Sequence, residues 1–228
     1  MSYLIAASVF FLLIHFGVSG TQLRDVLVAR MGDGLYRGAF SLASLVGLVW
    51  LIAAYGHAPT VHLWDQPVSL RPLAFVLVLI AFPLAVIGLI TPNPTTAGME
   101  SKLTQGADIA RGMIRITRHP FLWGVALWAL VHLVMNGDLA SLILFGSLLL
   151  LAVGGTSSID AKRRRKFGSD WARFSEATSN VPFAAIAAGR NAVGPALREI
   201  GVLRLVIAVA VYAVIFTFHG QLFGAPLV

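Results

Sequence analysis

Apolar residues come in six long runs along the chain, with polar residues filling the gaps: 3–20, 36–56, 71–90, 120–136, 139–157 and 202–220. A helix needs roughly 20 such residues to cross a bilayer core, with about 17 tolerated. The pattern therefore predicts six membrane-spanning helices, the fourth being the shortest. Asn136-Gly137-Asp138 is almost the whole link between the fourth and fifth runs, so these two form an antiparallel hairpin. The expected fold is all-α, a polytopic membrane helical bundle of six transmembrane helices, with one integral membrane domain covering 1–228.

Two of the polar stretches read as ordered. Residues 102–117 set Leu103, Ala107, Ala110 and Ile114 on one side and Arg111, Arg115 and Arg118 on another. That spacing predicts a short cytoplasmic helix lying at the interface. Asp160 to Phe183 continues the fifth helix out of the membrane, turns at Gly168 and runs through Trp171 and Phe174 to Pro182.

Charge then orients the helices, because Lys and Arg in short loops stay on the cytoplasmic side during insertion. The first loop carries Arg24, Arg30 and Arg37, and the third carries Lys102, Arg111, Arg115 and Arg118. The fifth carries Lys162 to Lys166, Arg173, Arg190, Arg198 and Arg204, leaving only Arg71 on the other side. Both termini are expected outside, which in a bacterial inner membrane means periplasmic. The first run has no basic residue ahead of it and its first positive charges behind it, the reverse of a secretory signal, so it is expected to stay as a helix.

Composition agrees. Of 228 residues 57% are hydrophobic and 12% charged, about half the charged fraction of soluble domains. A net charge of +7 suits nucleic acid in principle, but the basic residues sit where membrane topology puts them. A binding groove needs them on one soluble surface, interleaved with aromatics, so no nucleic acid is expected. Membrane lipids are the first expected partner, with the Lys162–Lys166 run an anchor on anionic headgroups. Cysteine is absent, which excludes disulfides, thiolate metal sites, haem attached through Cys-x-x-Cys-His and a cysteine nucleophile.

Of six histidines, His57 and His62 fall in the outer loop between helices two and three and read as solvated. His219 ends helix six, where an amphipathic ring is comfortable at the interface. His15 and His132 lie inside apolar runs, where a polar ring is costly unless it faces a partner or a cofactor. His15 shares a helix face with Ser19, and Trp128, His132 and Asn136 form a four-residue ladder. Counted from the cytoplasmic Arg24 and Arg118, the two histidines stand roughly 13 and 21 Å deep. They are candidates for gripping one haem iron from opposite sides. The alternative is two structural imidazoles hydrogen-bonded within the bundle. His119 cannot join His132 on a metal, since thirteen residues of helix are roughly 20 Å of rise. In Arg118-His119-Pro120 it opens helix four beside free backbone N–H groups, a candidate site for a headgroup, a haem propionate or a cofactor carboxylate; a helix cap with a snorkelling arginine is the plainer reading.

The block Gly112-Met113-Ile114-Arg115-Ile116-Thr117-Arg118-His119-Pro120, running on to Leu127-Trp128-Ala129-Leu130-Val131-His132-Leu133, resembles the NnrU family of bacterial membrane proteins. Asn136-Gly137-Asp138-Leu139-Ala140, Phe145-Gly146, Thr178 to Ala185, Gly189-Arg190 and Tyr36-Arg37 extend the likeness over nearly the whole chain. The resemblance implies a link to nitrite and nitric oxide metabolism in denitrifying bacteria. The family is also similar to plant and cyanobacterial zeta-carotene isomerase, a membrane enzyme that uses haem b to isomerise a cis double bond. The haem-ligating histidines of that enzyme match His15 and His132, so the resemblance implies these two as metal ligands. A cysteine three residues before the second histidine is proposed there to exchange as a ligand; Ala129 stands at that position, which excludes thiolate exchange in this chain. On this reading helices one, two, four and five enclose haem b. Arg37, Arg115 or Arg118 neutralises the propionates, His119 and Asn136 complete the cofactor site, and a hydrophobic small molecule enters from the lipid. No catalytic residue is assigned.

Two further classes stay open. Arg118-His119-Pro120, Gly124, Asp160, Phe167-Gly168, Trp171, Phe174 and Pro182 also resemble S-adenosylmethionine-dependent membrane methyltransferases of the isoprenylcysteine and phospholipid type. This chain departs from them with Ile159-Asp160 in place of paired glutamates and Trp171 in place of tyrosine; a shared fold does not carry the chemistry with it. The other class is a haem-free accessory or assembly protein for respiratory reductases, with their subunits as partners.

Overall fold

The computed structural model describes residues 1–105, 110–225 and 227. Its elements are α1 (Ser2–Leu12), a π-helical segment (Leu13–Ser19), α2 (Leu23–Met31), α3 (Asp33–Gly56), α4 (Arg71–Ile90), α5 (Met113–Ile116), α6 (Pro120–Asn136), α7 (Leu139–Ala177), α8 (Ala184–Ala187), α9 (Val193–Ile200), α10 (Val202–Thr217) and α11 (His219–Phe223). The protein is all-α. Ser2–Ser19, Asp33–Gly56, Val68–Ile90 and Leu139–Ala177 are each long and apolar enough to cross a membrane. Val193–Ile200 with Val202–Thr217 also passes, bent by 76°. The 17 residues of α6 stand at the lower limit for a span. Each apolar run of the sequence is thus helical.

The interface stretch is more broken than its spacing predicts. The described residues form a 3-10 turn at Glu100–Gln105 and the single turn α5; Ala107 lies outside them. Gly112 ends any continuity with φ +56, and its N–H goes to the Glu199 carboxylate at 2.7 Å instead of to a helix carbonyl. Gly168 does turn the chain, at φ 46 and ψ −113 within α7.

The chain forms two compact units: residues 1–71 with 129–159, and residues 72–128 with 160–228. In the first, α1 buries Leu4, Ala7 and Phe11, and α3 buries Tyr36, Leu51 and Ala54. The two helices meet at Gly47, where an added Cβ would stand 3.0 Å from the Phe10 ring. The α6–α7 turn is pinned by the outer loop: Leu63 and Trp64 N–H donate to Gly137 O, Leu139 N–H to Val61 O, and Trp64 Nε1–H to Val134 O. Asp138 caps α7 through the N–H and hydroxyl of Ser141 at 2.9 and 2.6 Å. Gly137 holds φ +73 with the Trp64 carbonyl oxygen 2.1 Å from where a Cβ would be, so only glycine fits.

In the second unit α4 and α6 cross at backbone distance. A Cβ on Gly124 would stand 2.5 Å from Ala85 N, and one on Gly88 2.5 Å from Phe121 N. Ile87, Met113, Ile116, Ala196, Ile200 and Ala208 form one apolar core, and Leu103, Ile114, Trp171 and Phe174 another. Edge-to-face pairs Phe75–Phe216 and Phe82–Tyr212 join α4 to α10.

Candidate functional site

His15 lies in the π-helical segment of the first unit. Helix α1 has the usual hydrogen bonds through Leu12, and then one extra residue per turn re-aims the side chains that follow. His15 Nδ1 stands 2.8 Å from the Phe11 carbonyl oxygen. Only an N–H can be shared with a carbonyl, so Nδ1 carries the proton and Nε2 the lone pair. The ring packs against Phe11 at 4.6 Å and edge-on against Phe40 of α3 at 5.3 Å between centroids. The ring is half-buried between its own helix and α3.

His132 is likewise half-buried on α6, with its ring 5.0 Å from that of Phe145 on α7. Contacts along α7 set the relative level of the two histidines. Ser8 bonds Ser147 and Phe16 reaches Gly154, so the first helix runs parallel to α7. Leu133 lies against Gly146 and Asn136 bonds Ser141, so α6 runs antiparallel. The two Cα levels therefore differ by about seven residues of rise, roughly 10 Å. Helical side chains lean toward their own N-terminus. The two helices point in opposite directions along α7. His15, His132, Arg37 and Asn136 all belong to this unit, with Arg37 near the start of α3 and Asn136 in the turn at the far end of α6. Arg37 pairs with Asp33, and Asn136 binds Ser141 in the α6–α7 turn, a few ångströms from Tyr55 Oη.

Arg115, Arg118 and His119 belong to the second unit, where each meets a carboxylate of the chain. Arg118 binds Asp160 with Nη2 at 2.7 Å and Nε at 3.0 Å, and its guanidinium lies 5.5 Å over the Trp171 ring. His119 Nε2 reaches the other Asp160 oxygen at 2.6 Å. Burial pushes the pKa of His119 below its ordinary value, against the opposing pull of the Asp160 hydrogen bond. The ring is then neutral, and Nε2–H donates to the carboxylate. His119 Nδ1 and Trp171 Nε1 are buried and have no hydrogen-bond partner among the described residues. Asn93 and Thr95 donate to the Arg118 carbonyl at 3.0 and 2.9 Å, which fixes the corner ahead of Pro120. The Arg-His start of α6 therefore has its anion, Asp160, supplied from within the chain. Arg118 does meet Asp160 and Trp171, the two positions where the chain departs from the methyltransferases, and the pairing engages the arginine.

Arg115 is held in the same way. Glu199 on α9 takes its Nε and Nη2 at 2.7 and 2.8 Å, and Asn191 takes Nη1 at 2.8 Å. The arginine's hydrogen bonds hold the Glu199 carboxyl down at about 2. His57 Nδ1 bonds the Ala53 carbonyl. His62 pairs with Asp65 at 3.3 Å and forms a backbone bridge to Asp138. The sequence set His15 on a helix face with Ser19; the roles of Phe11, Phe40, Phe145 and Glu199 carried no local signal.

Taken together, these features define an all-α membrane protein with two half-buried histidines in one unit and a buried ion cluster in the other. The chain belongs to the NnrU family, described as NnrU protein, which matches residues 3–227. It is similar to 15-cis-zeta-carotene isomerase, chloroplastic, of Arabidopsis thaliana, with 32% identity over 80 residues. That likeness covers 35% of this chain and 22% of the plant protein, so the chain spans about a fifth of the curated relative's length. No solved structure matches.

Proposed function

We propose that this chain is a haem b-binding protein of the bacterial inner membrane, with isomerase-like chemistry on a hydrophobic substrate. His15 and His132 would hold its iron, and both termini would be periplasmic. The observation that carries the reading is the setting of His15. It sits in a π-helical segment, a geometry found disproportionately at functional sites. Its Nδ1–H is spent on a backbone carbonyl, the bond that fixes the tautomer and aim of a metal-ligating imidazole.

The residues present fit haem. Two half-buried imidazoles stand on separate helices, and Phe11, Phe40 and Phe145 give apolar walls. Ser44, one turn beyond Phe40 on α3, has a buried Oγ without a partner among the described residues, a hydroxyl available to a polar edge of the group. Arg37 would be the propionate partner, since it shares a unit with both histidines and is exposed beside its Asp33 pair, whereas Arg115 and Arg118 belong to the other unit. Bound haem would supply iron-centred redox and ligand chemistry. The chain's own residues position the group and exclude water. The plant relative is named for 15-cis-zeta-carotene, and a long apolar polyene of that kind would enter from the lipid. The family resemblance also implies a link to nitrite and nitric oxide metabolism.

The test is a visible spectrum of detergent-purified protein. The expected result is a Soret band that is lost in His15→Ala and in His132→Ala and kept in His62→Ala. No Soret band after growth with added haem precursor, or a band unchanged in both variants, overturns the reading.

A further inference from the structure

An elbow joins α9 to α10 in the second unit, where the two helices are bent by 76°. Gly201 at the corner holds φ 78 and ψ 151, a backbone pair that glycine alone adopts readily. Arg204 closes the corner by donating to the Glu199 and Ile200 carbonyl oxygens at 3.2 and 3.1 Å. Ala196 and Ile200 of α9 pack in one core with Ala208 of α10. The angle is therefore built into the chain, and where α10 crosses a bilayer α9 runs close to its plane.

The residues of α9 are sorted around its axis. Ala196 and Ile200 are buried, while Val193 and Leu197, one turn apart, are exposed, Leu197 by 51%. Past the elbow, Val202 and Leu203 in the first turn of α10 are 77% and 72% exposed. Of the two charges on α9, Glu199 is taken up by Arg115 and the Gly112 N–H. Arg198 stays on the outside, next to Leu197. An open apolar edge flanked by a cation, joined directly to an apolar helix, matches the boundary between acyl chains and anionic headgroups.

We propose that α9 is a membrane-surface helix, with Val193 and Leu197 among the first acyl carbons and Arg198 on an anionic phospholipid headgroup. The lipid that surrounds the first turn of α10 then also covers the open edge of α9. This surface belongs to the second unit and does not depend on the haem reading.

The chain has no cysteine, so nitroxide labels on single thiols report depth through their collisions with oxygen and with a water-soluble nickel chelate. The full chain carrying Val193→Cys, Leu197→Cys or Arg198→Cys, all at exposed positions, is reconstituted in phosphatidylcholine vesicles with and without phosphatidylglycerol. With phosphatidylglycerol present, oxygen is expected to dominate at 193 and 197 and the chelate at 198. Removing phosphatidylglycerol shifts the label at 197 toward the chelate, and adding Arg198→Gln to that variant abolishes the shift. Chelate dominance at 197 places α9 in water, and oxygen dominance at all three positions makes it part of a re-entrant span. Shielding from both reagents puts protein over the edge, as a second copy of the chain would. Each of these overturns the proposal, as does a label at 197 indifferent to phosphatidylglycerol or a shift that survives Arg198→Gln.

Discussion

Glu199 and Arg115 show what a single residue can carry and what the sequence hides. The two are 84 positions apart and meet through two hydrogen bonds, with Gly112 N–H adding a third to the carboxylate. Glu199 is held at about 2 against an ordinary 4.5. A carboxyl lowered in this way contributes its full stability above the unfolded value, and the contribution fades as pH falls from about 4.5 toward 2. Glu199→Gln is expected to lower stability at pH 7 by about 1–2 kcal/mol, and thermal unfolding in detergent should then decline less steeply over that acid range than in the parent. An identical acid profile would show that the pair contributes nothing. At this scale the sequence exposed His15 and His132, because a polar ring inside an apolar run stands out. It did not expose Phe40 or Phe145, which are ordinary residues in apolar runs until packing turns them toward an imidazole. Nor did it expose the pairing of Arg118 and His119 with Asp160, which only the folded chain brings together.

Elements were the most legible level. Six apolar runs became helices with boundaries close to those of the hydropathy pattern, and the Asn136-Gly137-Asp138 link made the expected hairpin. Two features escaped. The π-helical turn has no composition of its own: Leu13–Ser19 reads as ordinary apolar helix, and its single extra residue per turn leaves no mark in the pattern. The stretch around 102–117 has helical spacing, but Gly112 gives its N–H to Glu199, and this tertiary bond overrides local periodicity. The hairpin offers a direct test. Gly137→Ala must place a Cβ against the Trp64 carbonyl oxygen at a backbone angle of +73°. A loss of about 2–4 kcal/mol is expected, as for strain at a special backbone position. Unfolding in detergent at an unchanged temperature would show that the turn is looser than described.

For the whole molecule, the arrangement of charge decides orientation. Because the chain contains no cysteine, a single introduced thiol reports its own side of the membrane. In intact cells, a membrane-impermeant maleimide is expected to label Gln66→Cys. Arg164→Cys should react only after permeabilisation, and the reverse pattern would invert the topology. The expectation rests on loop charge rather than on packing, so no contact of the fold enters it. Ionic strength should divide the basic residues into two populations. Arg164, Arg165 and Lys166 are exposed, so their attraction to anionic headgroups fades within a Debye length of about 8 Å in physiological saline and shorter still in brine. Arg118 and Asp160, each with a side chain only 11% accessible, are shielded from mobile ions. Salt should therefore loosen the protein's grip on the lipid surface while leaving the Arg118–Asp160 pair intact.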